Sequence, residues 1–356
     1  MIDLIRPIRS LLLVVALFLA ILVVACVTVP GPATEELDEE GALHLSGLCF
    51  GPYLDGQSPS LTGPLPPEQI RELLAVIANS TDSVRSYGND NGLDAIGRYS
   101  HEIGKKAAIG AWLSRNRTLN EQQIDTLIQM GQYGEADVLI VGSETLLRAD
   151  LTKAELLGYI ERVKKAVPGV PVTTAETYGI YLHNPELFTA VDQVYVHIHP
   201  YWDGVGVDTA VDTVDEAYSS LLQRAGSRPV VIAETGWPSA GEPNGAAVPS
   251  MENAEQYLRA FTAWADREQV SYFYFEAFDE AWKKDSEGEV GANWGLWNHD
   301  GQPKYGLLGG RTTGVTPMSG SSFTRTTGGI PKMTISGRTF VAIGPLPTSL
   351  ETSRKW

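Results

Sequence analysis

The stretch Val230-Val231-Ile232-Ala233-Glu234-Thr235-Gly236-Trp237-Pro238-Ser239 runs apolar, ends on a carboxylate, and passes at once into a turn and an indole. An apolar run of this length is the pattern of a parallel strand covered on both faces. A glutamate closing such a strand lies where (β/α)8 barrels gather their functional groups, at the C-terminal mouth. Asp137-Val138-Leu139-Ile140-Val141-Gly142-Ser143-Glu144 repeats the pattern earlier in the chain.

Working outward from these two runs, eight strand-like segments can be counted. They are Leu45 to Tyr53, Ser83 to Tyr87, Ala107 to Leu113, the run to Glu144, Val170 to Ala175, Gln193 to His199, the run to Glu234, and Ser271 to Glu276. Helical segments alternate with them. Ile70, Leu73, Leu74 and Ile77 recur at helical spacing behind the start signal Pro66-Pro67. Thr152 and Glu155 form a capping box ahead of Leu156, Leu157, Ile160 and Val163, and Pro168-Gly169 stops that helix. Strand and helix alternating at this repeat length predict parallel βα units. The rival is an open doubly wound sheet, but no Gly-rich dinucleotide fingerprint follows the first strand. The expected fold class is therefore α/β, a single (β/α)8 TIM barrel over residues 46–310.

Two carboxylates across one cleft can divide acid and base work when their surroundings keep one protonated and the other ionised. That is the machinery of glycoside hydrolysis. Taken singly, Glu144 or Glu234 reads equally well as a salt-bridged strand end. Together with Phe275-Glu276-Ala277-Phe278-Asp279-Glu280-Ala281-Trp282-Lys283, the motifs Val141-Gly142-Ser143-Glu144 and Glu234-Thr235-Gly236-Trp237-Pro238-Ser239 resemble glycoside hydrolase family 17, the β-1,3-glucanases. The resemblance runs in order from about Ser46 to about Leu307.

It implies a retaining mechanism, with Glu144 as acid/base after the fourth strand and Glu234 as nucleophile after the seventh. Retention calls for carboxyl groups roughly 5 to 5.5 Å apart. Ser143 stands where many relatives carry Asn, so sugar contact there rests on a shorter group with one donor hydrogen fewer. Relatives more often have Asn and Tyr where this chain has His197 and His199. Within the same pattern Glu280 and Lys283 match an acid and lysine pair near the catalytic glutamates, and such a lysine would favour ionised Glu234. Their bland reading is a surface pair three residues apart.

If the barrel forms, its mouth collects Tyr53, Arg85, Tyr87, Glu144, Glu176, His199, Tyr201, Trp202, Glu234, Trp237, Glu276, Glu280 and Lys283. Aromatic faces stack on the C–H faces of pyranose rings, and the polar groups serve hydroxyls. For Tyr53 and Tyr87 core packing is an equal alternative. Trp237 offers a flat surface beside the nucleophile, and Tyr201 a hydroxyl for the nucleophile or a sugar. Trp297, with Trp294, is placed at one end of the cleft or in loop packing. His197 and His199 alternate along a strand and admit a metal reading, but no supporting carboxylate motif accompanies them and no metal site is expected.

Residues 1–25 read as a secretion signal, with Arg6 and Arg9 before the apolar stretch Leu11 to Ala25. Val23-Val24-Ala25-Cys26 resembles a bacterial lipobox with Cys26 as the lipid attachment site, the alternative being an uncleaved signal anchor. Either way the catalytic part is expected outside the cytoplasm, tethered to a membrane. An acidic linker spans 26–45. With Cys26 so used, Cys49 is expected to form no disulfide. The chain carries −16; the leader contributes +1 and residues 311–356 contribute +5, leaving −22 on residues 26–310. Such a surface repels nucleic acid, whereas a neutral glucan is indifferent to it. The basic Ser/Thr/Gly-rich segment 311–356 reads as a largely disordered extension.

The expected partner is a β-glucan polysaccharide or oligosaccharide, bound by a monomer without cofactor. Two rival readings stand beside hydrolysis: a transglycosylase using the same glutamates, and an inactive polysaccharide-binding lipoprotein that would lack one of them.

Overall fold

A computed structural model describes residues 42–60 and 63–308, together with the backbone of 332–335 and 338–341. Eight parallel strands close into a barrel in sequence order. They are β1 Leu48–Cys49, β2 Ser83–Arg85, β3 Lys106–Ala111, β4 Val138–Ser143, β5 Val172–Thr177, β6 Val194–His197, β7 Val230–Thr235 and β8 Tyr272–Tyr274. Leu48 of β1 pairs with Tyr274 of β8 and shuts the ring.

The helices around it are α1 Pro67–Ile77, α2 Ile96–Glu102, α3 Arg117–Gln132, α4 Lys153–Ala166, α5 Tyr178–His183, α6 Glu186–Ala190, α7 Val207–Ala225 and α8 Met251–Glu268. Their starts follow local chemistry. Proline opens α1, where a missing N–H costs nothing. The Thr152/Glu155 capping box opens α4 as expected, and α4 gives way at Val167 just before Pro168-Gly169. Ser250 caps α8 by accepting from Asn253 N. In α1 the buried residues Ile70, Leu74 and Ile77 lie on one stripe, which is the face turned to the barrel.

Most strand boundaries lie within two or three residues of their expected positions. The first is the exception. A strand over Leu45 to Tyr53 was expected, but only Leu48 and Cys49 join the ladder. Pro52 has no N–H to give, and Gly51 passes so close to Glu280 that a Cβ would stand 2.1 Å from Oε1. The regular β1 strand therefore ends at Cys49. β5 runs two residues past its expected end and carries Glu176 into the interior.

Of the segment 311–356 only Lys332–Ile335 and Arg338–Val341 are described. These two strands, β9 and β10, pair antiparallel. The signal peptide, Cys26 and most of the linker lie outside the described residues. Among the described residues no helix is long and apolar enough to cross a membrane.

Candidate active site

Glu234 is positioned by strand alternation. Its neighbour Thr235 points outward and bonds Tyr257 of α8, so Glu234 points the other way, into the barrel. Glu144 is positioned by a break in regularity. The β4–β5 register shifts between Ile140 and Ser143, Gly142 takes φ 78° and Glu144 itself takes φ 53°. A Cβ at Gly142 would stand 2.7 Å from Thr145 Cγ2. A left-handed non-glycine residue costs on the order of 1 kcal/mol or more, and the site holds it through Glu144 N donating to Ala175 O at 2.7 Å. That twist turns the Glu144 carboxyl toward Glu234.

A carboxyl oxygen of each glutamate and a nitrogen of His197 all lie within 4.8 Å of one another. The two carboxyls sit in different surroundings. Glu144 keeps 27 % of its side chain exposed, Glu234 only 9 %. Arg85, fully buried, donates to Glu234 Oε1 and to Ala233 O, each at 2.7 Å. His199 Nε2 lies 3.2 Å from Glu234 Oε2. Burial alone would push the Glu234 carboxyl up, but the charges of His197 and Arg85 and the bond from His199 outweigh it and hold it well below the usual carboxylate range. One carboxylate is thus kept ionised and enclosed, while the other stays open to the cleft.

Arg85 carries a testable share of this. Arg85→Met should lower stability by about 3–5 kcal/mol, because it leaves a buried carboxylate uncompensated. A depressed carboxylate contributes its stability above the unfolded-state value and loses it as pH falls through the folded-state one. The melting-temperature gap between wild type and variant should therefore be widest near neutrality and close in strong acid. A gap independent of pH would refute the pairing.

A second cluster lies beside the first. Lys283 Nζ contacts Glu280 Oε2 at 2.7 Å and also bonds Glu276, all three buried. Burial, with Glu280 adding to it, keeps the Glu276 carboxyl well above its ordinary range despite Lys283.

A match to the BtgE/BtgC glycoside hydrolase domain spans residues 47–295. The chain belongs to this glycoside hydrolase family. Glucan 1,3-beta-glucosidase of Arthroderma benhamiae is 32 % identical over 225 residues, 57 % of this chain and 71 % of that protein. Glucan 1,3-beta-glucosidase BGL2 of Candida albicans is 29 % identical over 61 % of this chain and 78 % of its own length. Among solved structures, the glycoside hydrolase family 17 β-1,3-glucanosyltransferase of Rhizomucor miehei superposes with a TM-score of 0.65 at 28 % identity, covering 75 % of this chain and 98 % of that one.

In this BtgE/BtgC-type hydrolase several residues expected at the cleft turn out to build its walls. Trp237 is 1 % exposed, donates to Val248 O and packs on Tyr257, so its face is closed to sugar. Trp297 is equally buried and pairs with Phe278, the loop-packing alternative. Tyr201 donates its hydroxyl to Glu242 O at 2.7 Å rather than to the nucleophile. Ser143 lies in the floor and accepts from Arg85 Nη2 at 3.1 Å. Lys283 is held by its two glutamates and is no surface pair; Arg85 and the two histidines, not Lys283, keep Glu234 ionised. Tyr53 is buried with its ring edge toward Trp282, and Tyr87 lies under the Arg85 guanidinium at 4.7 Å.

Trp202, after β6, packs on Tyr201 and Trp294 yet stays 47 % exposed. Trp112, 43 % exposed directly after β3 with Arg148 over its ring at 4.2 Å, is a second aromatic face that the sequence reading missed. Its place one residue past Ala111, at a strand's C-terminal end, was the available signal.

In the sequence His197 is a departure from the Asn common in relatives and half of a possible metal pair with His199. Both rings instead address Glu234, and His197 also bonds Glu144 Oε1 at 2.7 Å. Glu144, His197 and Glu234 are the one set of donors among the described residues close enough to be weighed as a cation site. Their mutual contacts, and the Arg85 charge already matched to Glu234, mark them as a proton-handling group.

Proposed function

We propose that the protein cleaves β-1,3-glucosidic bonds in glucans by retaining double displacement, with Glu234 as nucleophile and Glu144 as acid/base. The observation that carries this reading is the pairing of an enclosed, ionised Glu234 with an open Glu144, carboxyl oxygens within 4.8 Å. That separation is in keeping with direct attack and leaves no room for the intervening water of an inverting site.

In the first step a Glu234 oxygen bonds the anomeric carbon as the glycosidic C–O bond breaks, and the departing oxygen takes the Glu144 proton. In the second, water bonds that carbon, Glu144 takes the water's proton, and the ester to Glu234 breaks. Water enters beside Glu144, the more exposed carboxyl. The exposed indoles Trp112 and Trp202 offer faces for neighbouring sugars.

The likeness to the Rhizomucor miehei glucanosyltransferase supports a second reading of the same site, in which a sugar hydroxyl replaces water. The inactive-binder reading has no support from the site, since both carboxylates are present and paired. Incubation with laminarin tests all three. Glucose or short oligomers indicate hydrolysis, longer products indicate transfer, and no product overturns the catalytic reading. Chelator should leave the rate unchanged, because protons and a carboxylate ester do all the chemistry.

A further inference from the structure

His197, the last residue of β6, is buried between the two catalytic carboxyls. Its Nδ1 lies 2.7 Å from Glu144 Oε1 in hydrogen-bond alignment. Its Nε2 lies 3.2 Å from Glu234 Oε1 but off the bonding direction, without an aligned partner. The ring therefore shares protons chiefly with Glu144. The geometry points to His197 as a positioning residue that holds one proton jointly with Glu144, so that the pair, rather than Glu144 alone, stores the proton of the acid/base step. This rests on the retaining reading above.

Two arrangements of that one proton carry the same net charge. Either Glu144 is protonated beside a neutral ring, or Glu144 is ionised beside an imidazolium. They differ by a transfer across the 2.7 Å contact, and groups this close titrate as a unit. A proton that two sites can hold is lost at higher pH than one held by a single site, because two states compete against the deprotonated one.

The surrounding charges favour this assignment. Arg85, 2.7 Å from Glu234 Oε1, shares with the two histidines the compensation of the nucleophile. His199 occupies Glu234 Oε2, the other oxygen. Glu176, on the neighbouring strand β5, accepts from Leu146 N and Thr145 Oγ1, and burial pushes its carboxyl up to about 7. Glu287, at the end of the short helix Lys284–Glu287 after β8, also lies within electrostatic reach of Glu234, His199 and Glu144. In the first half-reaction the pair gives its proton to the departing glycosidic oxygen as the ester to Glu234 forms. In the second, the proton of the attacking water restores it through Glu144 as that ester breaks.

The test compares wild type with His197→Asn in the full chain. Asparagine keeps a short side chain able to donate to Glu144 but cannot store a proton. In kcat/KM for laminarin against pH, the alkaline limb of the variant should move to lower pH by roughly half a unit or more. A limb that stays in place overturns the proposal, whatever the change in overall rate. A second measurement does not depend on turnover: NMR titration of the His197 imidazole in wild type and in Glu144→Gln. Removing the partner carboxyl should turn a two-step curve into a single step. Identical curves would refute the sharing even if glucan proved not to be the substrate or His197→Asn failed to fold.

Discussion

Glu234→Ala should reduce laminarin turnover by at least about 10⁴-fold, since no other group is placed to form the glycosyl ester. Glucan binding, measured by calorimetry, should remain detectable, because the exposed indoles and the cleft walls are untouched. The substitution also strands a cation. Arg85 is fully buried and two of its short contacts end on Glu234 and its neighbour Ala233, so the alanine variant should melt at a lower temperature than Glu234→Gln, whose amide oxygen still accepts from Arg85. Both variants should be equally inactive. Retained turnover in either removes Glu234 from the nucleophile's role, and equal melting temperatures would argue against the Arg85 pairing.

Glu144→Ala should have the next largest effect, and its size should depend on the leaving group. On glucan, whose departing oxygen needs a proton, the loss is expected to be on the order of 10² to 10⁴-fold. An aryl glycoside with an acidic phenol leaves without assistance, so its first step should be far less impaired. Deglycosylation then becomes limiting, and azide, entering the space vacated by the open Glu144 carboxyl, should accelerate it and yield a glycosyl azide of retained configuration. Full activity on glucan, or a loss independent of the leaving group, would exclude Glu144 as the acid/base.

The barrel was legible because its signals are local. The stripe Ile70, Leu74, Ile77 behind Pro66-Pro67, the Thr152/Glu155 capping box and the apolar run of β7 each specify an element from a few neighbouring side chains. The extent of β1 was not local in this sense. Gly51-Pro52 breaks the ladder where Glu280, more than two hundred residues later, fills the space beside the backbone. At the site, the positions of Glu144 and Glu234 could be read from strand ends, but the roles of the aromatics could not. All three are tryptophans in segments that follow a strand, yet Trp237 is buried against Tyr257 and Val248 and Trp297 against Phe278, whereas Trp202 packs on Tyr201 and Trp294 and still keeps 47 % of its surface exposed. His197 and His199 show the same limit: their alternation placed both on one face, but not which carboxyls stand opposite.

By itself, then, the chain's order determined an alternating α/β pattern, the strand ends at which carboxylates sit, and the family to which these motifs point, because periodicity, caps and breakers act over a few residues. Only the closed barrel decided which groups meet: Arg85 from β2, His197 from β6 and Glu234 from β7 come together with Glu144 after β4. The physical reason is that ionisation in a buried site is set by charges and desolvation within a few ångströms in space, and closing a parallel sheet brings to one mouth residues that the chain keeps far apart.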